Sequence, residues 1–489
     1  MVLSVDTPRS GLAPHSNCVS VWHAGATTGY LTGHADASAN AYDAVTACLC
    51  ALVGRVTPSS GLDQLGSLVC PGDRVAVKPN LIRESGTGGN PDWRHVVTDT
   101  QAVRAVIEQA LLGLHDRGEI IVADGPQTDS DFDALVRRSQ LGELVASYAD
   151  SPVPVSLLDL RRDAWLQSGG VTHTRVELPG DPSGYATVNL GESSEFSSYG
   201  LSGQFYGADY DFEETRRFHS GGHHEYVICR TALDADVIIN VPKLKTHKKT
   251  GVTLGLKNMV GVNGYRNCLP HFTMGTPAEG GDEFPDGGTR RRLESRAIAA
   301  FKRTLSARGG VAGRWAQAAK RAGGLAFGET SRVVRSGNWY GNDTAWRMVL
   351  DLNKIVMHYD GEGRRLPAPR RMLTVVDGII GMEGDGPVGG DAVESDIVVA
   401  GLNTVAVDTV CATLMGFDWR RIPLLRQAWR IRDLALVEFA PEDVECVSNV
   451  PEWNGSLSHL EQAAHLGLRP HFGWAGHVER PPHPFHGDV

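Results

Sequence analysis

One short segment, Val237–Val241, constrains the fold more than any other part of the sequence. It reads VIINV, and such a nearly continuous β-branched run is typical of a strand that is buried on both faces of a parallel sheet. Pro242 has no amide hydrogen and predicts that the strand ends there. The cationic residues that follow at once are Lys243, Lys245, His247, Lys248 and Lys249. Ligands bind where such strands surface in open α/β sheets, so the segment predicts a cationic site at the carboxyl edge of a sheet.

Short apolar segments alternate with amphipathic ones through much of the chain. Predicted strands at 74–78, 119–123 and 372–376 are accompanied by predicted helices such as the one at 98–114. This alternation predicts an α/β fold built on a mostly parallel, doubly wound sheet. Residues 168–225 are rich in Gly, Ser and Tyr, and they predict an irregular β-rich segment with antiparallel strands.

The composition changes again after residue 265. Residues 290–335 contain about a dozen Lys and Arg against two acidic residues, which predicts a basic helical insertion. The insertion could act as a lid or as a peripheral docking surface, and a solvated basic face is the third interpretation. The predicted divisions are an N-terminal extension at 1–66, an α/β core at 67–265 and 341–436, the basic insertion at 266–340 and a C-terminal tail at 437–489.

The overall charge and the cysteine spacing exclude several classes of protein. A net charge of −10 argues against a nucleic-acid binder, because such proteins neutralise phosphates with excess Lys and Arg. The eight cysteines form no CxxC motif, so the sequence offers no iron–sulfur cluster motif and no zinc ribbon. No apolar stretch approaches the roughly 20 residues of a transmembrane helix, and no signal sequence is evident, so we expect a cytoplasmic location.

Polar side chains follow several of the predicted strands. The candidates are Lys78 and Asn80 after one strand, Asp124 after the next, and Asp377, Glu383 and Asp385 after a third. Parallel neighbouring strands would bring all of these groups to one edge of the sheet. Carboxylate oxygens suit Mg²⁺ or Mn²⁺, so Asp377, Glu383 and Asp385 are candidate metal ligands. The Asp-Gly pairs also suit turns that bind no ligand, and both interpretations stay open.

The segment from Thr250 to Met259 predicts a buried helix that carries Lys257 and Asn258 near its end. Cationic groups beside the start of a helix favour a phosphate or carboxylate ligand, because the free N–H groups add to the same positive field. A solvated basic loop is the competing interpretation.

Three histidines, His219, His223 and His224, lie close together just before the central strand. They could ligate Zn, Ni or Fe, although their spacing matches no established template. Loop histidines that only form hydrogen bonds are the more common case.

Several of these segments together resemble a known family. They read VAVKPNL at 75–81, DADVIINVPKLKTHKKTGVTLGLKNMVG at 234–261, VVDGIIGMEGDGPVGGD at 375–391 and VAVDTVCATLMGFD at 405–418. The sequence is similar in these segments, over roughly residues 67–420, to the family called DUF362. The resemblance implies unknown activity, and many members carry ferredoxin-like iron–sulfur modules. This chain lacks the cysteine motifs of those modules, and the resemblance supplies no catalytic residues.

Our leading hypothesis from the sequence is an enzyme that binds an anionic small molecule, phosphorylated or carboxylated, possibly together with a divalent metal. The predicted substrate-binding residues are Lys78, Asn80, Lys243, Lys245, Lys257 and Asn258. The predicted catalytic residues are His247, Asp377 and Glu383, with His247 kept neutral by the flanking lysines.

This hypothesis makes a geometric prediction. The side chains of Lys78, Lys245, His247, Asp377 and Glu383 should line one pocket, within about 12 Å of one another. The alternative hypothesis is a non-catalytic accessory protein whose basic insertion docks on an acidic partner, a polysaccharide or a membrane surface.

Overall fold

The buried strand predicted from the sequence forms at Val237–Val241 and lies in the middle of a large sheet. The structure is a computed structural model, and it describes residues 17–27, 37–56, 68–84, 93–168, 171–199, 204–207, 212–289, 291, 293–295 and 334–483. In chain order the strands are β1 (Cys18–His23), β2 (Arg74–Pro79), β3 (Glu119–Asp124), β4 (Val155–Asp159), β5 (Asp163–Ser168), β6 (Val171–Glu177), β7 (Tyr185–Asn189), β8 (Phe205–Gly207), β9 (Glu225–Cys229), β10 (Val237–Val241), β11 (Lys243–His247), β12 (Gly251–Thr253), β13 (Pro270–Thr273), β14 (Arg371–Glu383), β15 (Asp391–Gly401), β16 (Glu445–Ser448) and β17 (Gly455–Ser456).

The helices accompany these strands in alternation. They are α1 (Ala37–Val56), α2 (Thr100–Leu114), α3 (Phe132–Ser139), α4 (Leu141–Ala146), α5 (Phe212–Phe218), α6 (Arg230–Leu233), α7 (Gly255–Asn258), α8 (Ala345–His358), α9 (Thr404–Leu414), α10 (Pro423–Ala428) and α11 (Leu457–Leu460). Within the described residues, no helix is both long and apolar enough to cross a bilayer.

The central sheet has the order β17-β16-β1-β15-β14-β10-β2-β3-β4, and β11 with β12 joins it beside β14. Parallel pairing joins β4 to β3, β3 to β2, β2 to β10, and β10 to β14. β11 also runs parallel to β14, and β1 runs parallel to β16. Antiparallel pairing brings in β15 and β17, and it also joins β12 to β11. The predicted α/β class with a mostly parallel sheet is therefore confirmed.

Strand β10 contributes side chains to two hydrophobic cores, one on each face of the sheet. Val237, Ile239 and Val241 pack into a core with α1 and α2. Ile238 points to the opposite face, where it joins a core that includes α8 and α9. A buried Val or Ile side chain stabilises the fold by about 1.5–3 kcal/mol, so these alternating contacts fix the strand between two helical layers.

Two segments that the sequence predicts to lie outside the core contribute strands to its sheet. β1 comes from the predicted N-terminal extension and pairs with β15. β16 comes from the predicted C-terminal tail and pairs with β1. The predicted β-rich segment contains β6 and β7, which pair antiparallel with β5 and β9 at its two ends. Of the predicted basic insertion, residues 296–333 lie outside the described residues.

Strand β10 ends at Val241, as Pro242 predicts, but the chain stays in the sheet. Strand β11 begins directly after Pro242, and its Lys243 lies opposite Asp377 of β14. The proline forfeits only its own amide hydrogen, and its carbonyl still accepts a hydrogen bond from the backbone N–H of Asp377 at 2.9 Å.

The predicted helix at 250–259 is wrong over most of its length. Gly251 to Thr253 form β12, which pairs with β11, and only one helical turn follows, in α7. Gly251 has φ of +81°, and a Cβ atom there would lie 2.9 Å from the Trp474 ring. The chain therefore turns back on itself at a glycine, and a helix cannot start at that point.

Candidate functional site

A large cavity opens at the carboxyl ends of β2 and β3. We call it the Lys257 cavity, and it has a volume of about 510 Å³. Its lining includes Lys78 and Asn80 at the end of β2, the turn after β11, and α7. Small-molecule sites in proteins typically occupy about 300–1,000 Å³, so the cavity is large enough for a metabolite.

The described lining of the Lys257 cavity has more cationic than anionic side chains. Its carboxylates are Asp124 and Asp129, and its Lys and Arg residues are Lys78, Lys248, Lys249, Lys257 and Arg266. Asp124 is bound to Lys78, and Asp129 lies 3.3 Å from the Arg83 guanidinium. The protein as a whole is acidic, so the positive field is a local property of this cavity.

A buried ion pair closes the inner end of the cavity. The ammonium nitrogen of Lys78 lies 2.7 Å from Asp124 Oδ1, while Asp124 Oδ2 accepts a hydrogen bond of 2.7 Å from the Leu81 backbone N–H. A side chain at Gly261 would collide with the Asp124 carboxylate and would lie 2.7 Å from Lys78 Nζ. This glycine therefore lets the backbone after α7 pass directly over the pair.

A network of amide side chains continues from this pair into the sheet. Asn258 Oδ1 accepts hydrogen bonds from Lys78 Nζ at 3.2 Å and from Asn80 Nδ2 at 3.1 Å. Lys245 Nζ donates to Asn80 Oδ1 at 2.9 Å, to the Val96 carbonyl at 2.8 Å and to the Pro387 carbonyl at 3.4 Å. Lys245 is fully buried beneath the cavity, and its three donor positions are used within the protein.

The Lys243 and Asp377 side chains form a second buried pair, away from the cavity lining. Lys243 Nζ lies 2.8 Å from Asp377 Oδ2, and both side chains are at most 1% exposed. Asp377 Oδ2 also accepts a hydrogen bond of 2.7 Å from the Asp99 backbone N–H. Burial and the nearby Asp377 charge raise the pKa of Asp99 to about 6. The loop that ends at Asp99 thus covers Lys243 and Asp377.

His247 stands at the end of the same strand face and lines the cavity. Its Nδ1 atom accepts backbone N–H hydrogen bonds from Lys249 at 3.1 Å and from Thr250 at 3.2 Å. The proton of the neutral ring is therefore on Nε2, which is the donor that the ring can offer to a ligand. Burial lowers the pKa of His247 well below its usual value, and the charges of Lys257, Lys248 and Lys249 lower it further.

The positive charge of Lys257 is not compensated by an anionic group in the described part of the chain. In the described part of the chain, its ammonium group has no hydrogen bond or ion pair to the protein. Burial lowers the pKa of Lys257 to about 7, and the charges of Arg266 and Lys78 act in the same direction. A lysine held in this way exchanges its proton near neutral pH.

Two further cavity residues, Arg266 and His271, were not among the candidates from the sequence. Arg266 Nη1 donates to the Val260 carbonyl at 3.0 Å, and its Nη2 donates to the carbonyls of Gly125 and Pro126. His271 Nδ1 donates to the Leu269 carbonyl at 2.9 Å, which leaves Nε2 as a hydrogen-bond acceptor. Burial, together with the Lys257 and Lys249 charges, lowers the pKa of His271 to about 3. The sequence signal was weak, because both residues follow the central segment in a Gly-rich stretch.

The three carboxylates predicted as metal ligands do not converge. Asp377 is bound to Lys243, whereas Glu383 Oε1 lies 2.7 Å from Nε of Arg469 at the surface. Asp385 is half-exposed and lies 3.9 Å from the ring of His471. Neither these residues nor any others in the described ranges form a group of three metal-ligating side chains. Of the five residues predicted to share one pocket, Lys78 and His247 line the cavity, Lys245 lies beneath it, and Asp377 and Glu383 lie elsewhere.

Two of the three candidate histidines, His219 and His224, share one aromatic cluster with ring centroids 5.7 Å apart, and His223 lies outside it. His219 is fully buried against Phe196 and Phe205, and its Nε2 donates to the Cys268 carbonyl at 2.8 Å. His224 stacks on Phe196, whereas His223 is exposed and contacts the Asn189 amide. Burial lowers the pKa of His219 to about 3 and that of His224 to about 4. These contacts hold an aromatic cluster together.

The part of the chain that supplies most of the cavity matches a known family. A family model described as "Domain of unknown function (DUF362)" matches residues 189–413. Residues 189–413 are therefore similar to this family. The match contains the segments at 234–261 and 375–391 from which the resemblance was predicted, and it leaves out the segment at 75–81. The matched region supplies His247, Lys257, Arg266 and His271 to the cavity, whereas Lys78 lies in β2, outside the match.

Two individual proteins are also similar to this chain. The thylakoid-associated protein sll1697 of Synechocystis sp. is 24% identical over 371 residues, which cover 76% of this chain and 71% of that protein. A crystal structure of a protein from Thermotoga maritima aligns with 78% of this chain at 11% identity and a TM-score of 0.31. This chain spans 60% of the length of the Thermotoga maritima chain.

Proposed function

We propose that the protein is an enzyme that binds an anionic small molecule, phosphorylated or carboxylated, in the Lys257 cavity. The observation that carries the proposal is the excess of cationic over anionic side chains in its described lining, centred on a Lys257 ammonium group without an ion-pair partner in the described residues. A cavity with one sign of charge and low-dielectric walls concentrates ligands of the opposite charge.

The proposed ligand site does not include Lys243 and Lys245, which the sequence predicts to bind the substrate. Lys243 and Lys245 use their donor groups on protein partners and do not line the cavity. The lining lysines without an ion-pair partner among the described residues are Lys248 and Lys257, and their ammonium groups act as point charges. Lys249 and Arg266 bind backbone carbonyls and add positive charge to the lining.

Three groups in the cavity favour catalysis over passive binding. His247 is a neutral donor, His271 is a neutral acceptor, and Lys257 changes protonation near pH 7. General acid–base catalysis works best with a group whose pKa lies near the operating pH, and Lys257 meets this condition. Burial lowers the pKa values of His247 and His271, so these two rings act as a neutral hydrogen-bond donor and a neutral acceptor. A titrating lysine beside two neutral imidazoles supports an enzyme, and the carboxylates Asp377, Glu383 and Asp385 have no part in it.

Ligand-dependent thermal stability tests the binding. The full chain is heated with sodium sulfate, sodium phosphate and a panel of phosphorylated and carboxylated metabolites, against sodium chloride at equal ionic strength. A ligand present at about one hundred times its Kd adds about 2.7 kcal/mol of stability. Lys257→Met should remove most of this stabilisation. Arg430→Met is the matched control, because it removes one exposed positive charge outside the cavity.

The result also separates an enzyme from a binding protein. If no anion raises the melting temperature above the chloride control, the proposal is wrong. A ligand that stabilises the protein is next incubated with it and followed by nuclear magnetic resonance. Conversion of the ligand that is lost in His271→Gln supports the enzyme, whereas a ligand that stays intact favours a binding protein.

The alternative function, docking of the basic insertion on an acidic surface, has one observation in its favour. The similar protein from Synechocystis sp. is described as thylakoid-associated, which makes a membrane the surface to test. The charge reversals Lys302→Glu, Arg303→Glu and Arg308→Glu change only the insertion. If they abolish co-sedimentation with anionic lipid vesicles while Lys257→Met does not, the docking function is supported. If neither the natural chain nor Lys257→Met sediments with vesicles, it is wrong.

A further inference from the structure

Lys257 has the environment of a reactive amine and differs in this respect from the paired lysines Lys78, Lys243 and Lys245. The sequence contains nine lysines. Lys78 and Lys243 are paired with carboxylates at 2.7 and 2.8 Å, and Lys245 binds two carbonyls and an amide oxygen. Lys257 lines the cavity, and among the described residues it has no anionic partner.

The groups around Lys257 favour its neutral form. Lys78 and Arg266 act on it directly as like charges, and Lys257 in turn interacts with His247, His271 and Lys245. A buried amine beside other cations loses its proton more readily, and the neutral amine is the nucleophilic form. At neutral pH a substantial part of the Lys257 population is therefore free amine.

The cavity also contains groups that suit an addition to a carbonyl. His247 offers an Nε2–H donor and His271 offers an Nε2 acceptor, and both line the same cavity as Lys257. Arg266, Lys248 and Lys249 provide further positive charge in the lining. A ligand with a carbonyl at one end and an anionic group at the other would use both sets of groups.

We propose that the Lys257 amine forms an imine with a small ligand that carries both a carbonyl group and a carboxylate or phosphate group. The inference rests on the proposed function, because the anionic group is what brings the ligand into the cavity. It adds the reactive residue and the substrate class, which are keto acids and phosphorylated ketones or aldehydes.

Imine formation at Lys257 needs neither an oxidant nor a reductant. The nitrogen lone pair attacks the carbonyl carbon, and the carbonyl π electrons move to oxygen. His271 Nε2 takes one proton from the nitrogen and passes it to the oxygen, while His247 Nε2–H stabilises that oxygen with a hydrogen bond, and a neutral carbinolamine results. The nitrogen lone pair then expels the hydroxyl group and forms the C=N bond, and the second nitrogen proton, again passed through His271, leaves with the hydroxyl group as water. One amine and one carbonyl thus give one imine and one water.

Trapping with sodium borohydride tests the inference. The full chain is incubated with pyruvate or with dihydroxyacetone phosphate, reduced with borohydride and measured by intact mass and peptide mapping. We expect one reduced adduct per chain, at Lys257. Lys257→Arg keeps a positive charge but cannot form the imine, so it should lower the adduct by more than about tenfold. Lys257→Met should do the same, and melting curves of both variants show whether they fold.

The outcomes separate this inference from the proposed function. Sulfate or phosphate stabilisation without an adduct, or an adduct that persists in Lys257→Arg, overturns the imine and leaves the anion site standing. An adduct spread over several lysines also overturns it. If Lys257→Arg retains sulfate stabilisation and loses the adduct, both proposals are supported. If there is neither stabilisation nor adduct, both fall.

Discussion

Two groups of lysines, only a few residues apart in the chain, have opposite environments. Lys243 and Lys245 in β11 are at most 1% exposed and bind a carboxylate, an amide oxygen and backbone carbonyls. Lys248 and Lys257 lie after that strand, line the cavity and have no ion-pair partner among the described residues. The first pair is enclosed by protein partners, and we propose that the second pair binds a ligand. A cluster of lysines in a sequence therefore does not by itself mark a binding site.

The strongest test of this contrast is Asp377→Ala. Removing one partner of a buried ion pair leaves the Lys243 charge uncompensated, so we expect a loss of about 3–5 kcal/mol in the free energy of unfolding. Urea denaturation measures it. The double variant Lys243→Met with Asp377→Leu removes both charges and should recover most of the loss. A loss below about 1 kcal/mol would show that the pair is not structural.

The second-largest effect is a difference in the free energy of unfolding between variants of Lys245 and Lys257. Lys245→Met leaves the buried Asn80 and Val96 oxygen atoms without their donor, so we expect a loss of about 1–3 kcal/mol. Lys257→Met removes a desolvated charge that has no anionic partner in the described residues, so the free energy of unfolding should stay the same or rise. The comparison uses urea denaturation of the two variants without added anion. Equal destabilisation by both would contradict the distinction.

The pH dependence of sulfate binding tests whether the charge of Lys257 attracts the anion. The Lys257 pKa is lowered to about 7, so the lysine is charged below that pH and neutral above it. Sulfate keeps its charge in this range, and its Kd should rise by about tenfold from pH 6 to pH 8, which corresponds to about 1.4 kcal/mol. Titration calorimetry measures this change. Lys257→Met should bind weakly with no step near pH 7, and a step that persists in that variant would assign it to another group.

The smallest effect is expected at the surface. Glu383 pairs with Arg469, whose side chain is 61% exposed, and solvent screens such pairs strongly. Glu383→Gln should therefore change the free energy of unfolding by less than about 1 kcal/mol and leave sulfate stabilisation intact. Thermal melts with and without sulfate suffice. Loss of the sulfate effect would place Glu383 in the site after all.

Much of the fold could be predicted from local sequence patterns. The β-branched run at Val237–Val241 predicts a strand buried on both faces, and β10 is such a strand. The extent of β14 could not be predicted, because its continuation past Val376 depends on pairing with β11 and β15. Asp377 and Glu383 therefore lie within a strand that the sequence ended too early. The turn at Gly251 could not be predicted, because the apolar residues that follow it are also spaced as in a helix.

By itself, the sequence determined the α/β class, the central strand and the cationic segment that follows it, since all three depend on residue type and on short-range periodicity. It also brought Lys78, Asn80, His247, Lys257 and Asn258 forward as candidates, and these side chains line the cavity. Only the tertiary structure decided which lysines are enclosed. Lys243, Lys245 and His247 share one face of β11, and the loop that contributes the Val96 carbonyl and the Asp99 amide covers the first two. Such coverage comes from residues far away in the chain, so no local pattern encodes it.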